Sequence, residues 1–169
     1  QPTQPIGIVR IRPARMGLLI HYDGETLPFE QMTFDVVTMF DVIEHIEGVQ
    51  EFLTNEVGRV LKKGGVFIFQ TPNKYTNIPW EVLVHKSFNY YKKYHVSLQS
   101  YRSLKKLLAI SGFTDINIEK RDMWTPYYLD SLRTYFGLLA YPIVSIANAM
   151  PICCTTNFWG SCRKVTYET

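Results

Sequence analysis

At 169 residues, with 46% hydrophobic and 20% charged side chains, the chain has the size and composition of one globular domain with a real core, which excludes a disordered polypeptide. Its net charge of +3 includes no dense basic cluster. Lys62-Lys63, Lys92-Lys93 and Lys105-Lys106 read as solvated surface, so nucleic acid is not an expected partner.

GIVRI (7–11) reads as a short strand, and the apolar run Leu18 to Ile20 leads into Asp23-Gly24, a turn signal. FDVVTMF (34–40) is continuous, apolar and β-branched, the pattern of a strand buried on both faces. From Ile46 to Leu61 the period changes: Val49, Phe52, Leu53, Val57, Val60 and Leu61 recur at helical spacing. Lys62 and Lys63 suit the negative end of that helix, and Gly64-Gly65 provides its stop. VFIFQT is a second buried strand, broken by Pro72-Asn73. Ser100 can cap a helix carrying Tyr101, Leu104, Leu107 and Leu108 that ends at Gly112. DINIEK alternates like a strand with one wet face, and FWGSCRKVT is a candidate final strand. Strands alternating with helices predict an α/β, Rossmann-like doubly wound sheet, mostly parallel, with helices on both faces and an antiparallel C-terminal hairpin.

The late segment differs. No charged residue occurs from Thr134 to Cys162. A membrane span needs about 20 apolar residues, and Pro142, Ser145 and Asn148 interrupt this run. Residues 123–157 therefore read as a buried helical insertion, a lid within a single domain 1–169. Contact with a membrane surface through 134–150 stays open. Cys153, Cys154 and Cys162 form no CxxC pair, so neither a disulfide framework nor a zinc site is indicated, and a cytoplasmic setting is expected.

Four segments in order, DGETLPFEQMTFDVVTMFDVIEHI, EVGRVLKKGGVFIFQTPN, HVSLQSYRSLKKLLAISGF and DINIEK, resemble the second half of class I S-adenosylmethionine-dependent methyltransferases of the ubiquinone-biosynthesis and type 11/12 groups. The resemblance implies S-adenosylmethionine as cofactor. It implies that Asp23 accepts a hydrogen bond from the adenine, that Gly24 offers its backbone N–H, and that Phe40 touches the cofactor. In that fold the tips of two neighbouring parallel strands, near Asp23 and Phe40, form one wall of the cofactor cleft.

Asp41, Glu44 and His45 are spaced to share one helical face above a strand end. Methyl transfer needs an aligned nucleophile that has lost its proton, and His45, oriented by Glu44 or Asp41, could be the base. The same residues resemble the ExxEH set of metal-dependent RNA-end and quinone methyltransferases. With His95 as a further ligand they could hold Mg²⁺ or Mn²⁺. A purely structural role for His45 is the third reading. Asn73 and Tyr94 are candidates for substrate contact, and His85, Tyr90 and Tyr91 for lining an acceptor pocket.

Nothing in the sequence resembles the glycine-rich GxGxG loop of such domains, and Val9 and Arg10 stand where a ribose-binding acid is expected. Gln1 followed by a Pro-rich QPTQP suggests a partial domain that is N-terminally truncated. Such a chain alone is expected to bind the cofactor weakly and to be weakly active or inactive. The leading expectation is a methyltransferase acting on a small, apolar or aromatic acceptor. The alternatives are a non-catalytic interaction module and a metal-assisted RNA-end methyltransferase. Oligomeric state is not legible.

Overall fold

The computed structural model describes residues 7–11, 18–22, 24–121 and 126–166. Strands β1 (Gly7–Ile11) and β2 (Leu18–Tyr22) pair antiparallel as a two-stranded ribbon, with Gly7 opposite Tyr22. This corrects one expectation. The strand leading to Asp23 and the strand ending at Phe40 are not neighbours in one parallel sheet; they lie in separate sheets. The chain between Ile11 and Leu18 is too short for a parallel crossover, which needs a dozen or more residues, so a hairpin return is the geometry open to it. Asp23 itself lies outside the described residues. Gly24 follows at φ 87°, a conformation glycine enters without steric cost.

The main sheet has four strands in the spatial order β3 (Phe34–Phe40), β4 (Leu61–Pro72), β6 (Asn157–Lys164), β5 (Phe113–Glu119). The β3–β4 pairing is parallel, and β4–β6 and β6–β5 are antiparallel. The fold is thus α/β with a mixed sheet, and the antiparallel C-terminal strands appear as expected.

The helix-period segment from Ile46 to Leu61 forms as α1 (Val49–Phe52), a π-helical turn (Leu53–Val57) and α2 (Gly58–Val60). It stops before the Lys-Lys-Gly-Gly stretch, because Leu61 is already extended (φ −74°, ψ 138°) and opens β4. Lys62 does not cap the helix; its Nζ donates to Asp35 at 2.8 Å. Gly64 (φ 70°) and Gly65 lie where β4 slips against β3, between the pairings Phe34–Leu61 and Val36–Val66. Helix α5 (Tyr101–Ile110) forms as read, with Ser100 and Ser103 in a reciprocal capping box and Gly112 (φ 86°) beyond its end.

Alternation along β4 sends Phe67 and Phe69 to one face. There they meet Phe113, Phe158, Cys162, Leu53, Val57, Val60, Leu104 and Leu108 in a single core. The other face is wet. Val36 and Phe40 are each 49% exposed, so FDVVTMF is an edge strand with one open face rather than one buried on both sides. Among the described residues this core lies on one side of the sheet.

Two helices precede α5: α3 (Lys74–His85) and α4 (Tyr90–Tyr94). Two follow β5: α6 (Pro126–Phe136) and α7 (Ala140–Ala149). The late insertion is therefore helical, but much of it is not buried. Leu138 is 79% exposed and Leu139 65%, whereas Ala140 and Val144 are enclosed. Among the described residues, no helix is long and apolar enough to cross a membrane.

Candidate active site

The parallel strands β3 and β4 end side by side at Phe40 and Gln70, and the chain after each carries polar groups. At this edge opens a cavity of about 470 Å³. Asp41, Glu44, His45 and Pro72 line it from the strand ends, and Thr76, Asn77, Trp80 and Glu81 from α3. His95, Ser131 and Leu132 of α6, and Thr156 and Asn157 at the start of β6 complete the lining. Open α/β sheets place ligand sites at the carboxyl ends of parallel strands.

Asp41, Glu44 and His45 do meet at this cavity, but not on one helical face. Asp41 sits before the helix at φ 51°, and the 3₁₀ turn spans only Ile43–His45. The turn is too short to carry an i, i+4 row. Asp41 Oδ1 accepts from Gln70 Nε2 at 2.7 Å, which ties the end of β3 to β4. Glu44 is 1% exposed; its Oε2 accepts from Thr71 Oγ1 at 3.0 Å, and its backbone carbonyl accepts from the Ser97 amide at 2.9 Å.

Burial pushes the Glu44 carboxyl above the usual carboxylate range, against the opposing pull of its hydrogen bonds and of His45. A carboxyl whose folded-state value is raised holds its proton more tightly in the native state. Stability should therefore fall as pH rises from the ordinary carboxylate range through the raised value, and stay reduced above it. Glu44→Gln, which keeps the shape, is expected to raise the melting temperature at neutral pH, with the gain shrinking on acidification. Thermal melts from pH 4 to 8 with no pH-dependent gain would contradict this.

His45 Nδ1 lies 2.5 Å from the Tyr94 carbonyl oxygen, so Nδ1 carries the hydrogen and donates it. Nε2, the other ring nitrogen, lies 3.7 Å from Glu44 Oε1. The His95 ring stands 5.0 Å from the His45 ring, centroid to centroid. Burial pushes the His95 imidazole down, and His45 adds to the effect.

Among the described residues no group of three or more His, Cys, Asp or Glu side chains is placed to hold an ion, so the arrangement does not fit a metal site. The expected set of Asp41, Glu44, His45 and His95 shares a cavity without converging on a point.

Asn73 is held by the protein. It is fully buried, its Oδ1 caps α3 through the Tyr75 amide at 3.1 Å, and its Nδ2 donates to the carbonyls of Cys153 at 2.8 Å and Thr155 at 2.7 Å. Its polar atoms bind the protein, not a ligand. Tyr94 contributes its carbonyl to His45, and its side chain borders an adjoining cavity of about 330 Å³ with His85, Tyr91, Glu81 and His95. The Tyr90 side chain lies outside the described part. Phe40 is not in the cavity lining; its ring packs at 5.7 Å against Trp159, which Arg121 covers at 4.4 Å.

The face of α3 is what sequence reasoning missed. Asn73, Thr76, Asn77, Trp80 and Glu81 recur at i, i+3, i+4, i+7 and i+8, one stripe of a helix. Pro79 in the middle of α3 hides it, because proline argues against a helix interior. Trp80 is held edge-on against Tyr135 of α6 at 5.4 Å, which joins the two helices at the cavity rim.

Residues 6–69 match the methyltransferase domain family. The chain is 41% identical over 105 residues to a probable S-adenosylmethionine-dependent methyltransferase of Mycolicibacterium smegmatis, covering 62% of this chain and 38% of that protein. It is 42% identical over 64 residues to a sarcosine/dimethylglycine N-methyltransferase of Aphanothece halophytica, covering 37% and 23% of the two. The chain thus spans well under half the length of these curated relatives. In fold it superposes on an S-adenosylmethionine-dependent methyltransferase structure from Thermotoga maritima with a TM-score of 0.58 at 19% identity, covering 85% of this chain and 62% of that one. The fold is the Rossmann-like one of these structures, and the matched segments are similar to S-adenosylmethionine-dependent methyltransferases.

Proposed function

We propose that this chain is the acceptor-binding portion of an S-adenosylmethionine-dependent methyltransferase acting on a small molecule with an aromatic or apolar body. One observation carries the proposal: a cavity at the carboxyl ends of the parallel pair β3–β4 places a histidine of fixed tautomer beside an aromatic wall. Trp80 and Leu132 supply the apolar surface, and residues 123–157 act as a lid within the one domain, since Ser131 and Leu132 of α6 already border the cavity. An aromatic acceptor also agrees with the resemblance to the ubiquinone-biosynthesis group.

The cofactor supplies a methyl group activated on a sulfonium. Among the described residues, Phe40 offers a half-exposed aromatic face at the end of β3, suited to a cation or an adenine, and Gly24 a backbone with no side chain in the way. Asp23, Gly24 and Phe40 are the residues that would hold it. His45 takes the acceptor's proton at Nε2, while its Nδ1–H bond to the Tyr94 carbonyl keeps the ring oriented. Asp41 and Glu44 position His45 and the strand ends.

The test is a titration of the 169-residue chain with S-adenosylhomocysteine, followed by backbone NMR shifts. Weak binding, with a dissociation constant of about 1 mM and shifts at Gly24, Phe40 and Asp41, is the expected result. No shift at those positions at saturating solubility would remove the reading, and micromolar affinity would contradict the weak binding expected of a sequence without the glycine-rich loop.

A further inference from the structure

The cavity is acidic. Asp41, Glu44 and Glu81 line it, while no lysine or arginine does among the described residues. His45 Nε2 stands 3.7 Å from Glu44 Oε1, so the imidazole and the carboxyl share one corner of the cavity. Two further atoms of lining residues, Asn77 Oδ1 and His95 Nδ1, are buried without a hydrogen-bond partner among the described residues. An orphaned buried polar atom costs free energy that a ligand group would recover. Trp80 adds an aromatic face, which attracts cations. Glu81 Oε2 lies 3.3 Å from His85 Nε2.

From this arrangement we propose that the methyl acceptor is a basic amine, bound as an ammonium, and that the reaction is N-methylation. The inference rests on the methyltransferase reading and narrows it. A protonated amine has N–H donors and no acceptor, the complement of this lining. A neutral quinol or phenol would leave the carboxylates uncompensated. The chemistry balances. The ammonium gives one proton to His45 Nε2, freeing the nitrogen lone pair. That pair forms the new N–CH₃ bond as the methyl–sulfur bond breaks and its electrons stay on sulfur. The product leaves as a methylated ammonium. Glu81 and Asp41 are the specificity residues.

The experiment compares phenethylamine with 2-phenylethanol, molecules of one shape that differ in charge at neutral pH, by NMR titration of the 169-residue chain. The amine is expected to bind at least about ten-fold more tightly, and Glu81→Gln to cut that preference while leaving the alcohol unchanged. Asp41→Asn provides a second variant should Glu81→Gln perturb α3. Equal affinity for the two probes, or no amine binding at all, overturns the proposal. S-adenosylhomocysteine titrated into the same samples separates the two readings. Cofactor shifts without amine preference discard only the amine. Amine preference without cofactor shifts leaves an ammonium site and discards the methyltransferase.

Discussion

Gly160→Ala should be among the most destabilising single substitutions in this chain, costing about 3 kcal/mol or more. Gly160 lies in β6, the strand held between β4 and β5. A Cβ built there would stand 2.4 Å from the Asn117 backbone oxygen and 2.6 Å from the Phe69 ring. Neither neighbour can yield cheaply. Asn117 is in β5, and moving its carbonyl disturbs the pairing with β6. Phe69 is fully buried, stacked at 5.6 Å on Phe67, so turning its ring opens the centre of the core. Interiors packed to crystal density absorb one methyl group only by shifting rotamers and backbone together. Urea denaturation of wild type and variant measures the loss; a change under about 0.5 kcal/mol would show that β5 and β6 do not approach as closely as described.

On the proposed methyl-transfer reading, His45→Ala should lower kcat by about 100- to 10,000-fold, the usual range for losing a positioned base. The side chain is 41% exposed, so its removal leaves no large buried cavity, and stability should change little. That separation is the useful part of the test. A catalytic defect with an unchanged melting temperature, partly rescued by added imidazole, identifies proton transfer. A comparable fall in stability would instead mark the Nδ1–Tyr94 bond as a clasp between the 3₁₀ turn and α4. Activity within about three-fold of wild type would mean that water takes the proton unaided.

Much of the fold was legible because local signals agreed with it. Ser100, Leu104, Leu107, Leu108 and Gly112 gave the start, face and end of α5, and the structure follows them. The apolar strings of β3 and β4 were equally plain. What the sequence could not give was how many neighbours each strand has. An uninterrupted apolar run reads the same whether its second face is covered or open, so the exposure of Val36 and Phe40 was hidden. Whether β2 joins β3 in one sheet likewise depends on pairings between segments apart in sequence. In the candidate site, Asp41, Glu44, His45 and His95 were visible as residue types, and they do gather at one cavity. Their individual bonds and the distances between them were not visible. Trp80 and Glu81 were missed for a local reason, the proline beside them in α3.

The open flank of β3 has a consequence for how the chain behaves in solution. Its outer backbone N–H and C=O groups form a strand edge, adjoining a sheet face that still shows Val36 and Phe40. A surface of that kind recruits β-structure by main-chain bonding and is satisfied by whichever extended segment reaches it first. An extended segment that docks there would act as a stabilising ligand, raising the apparent stability by mass action.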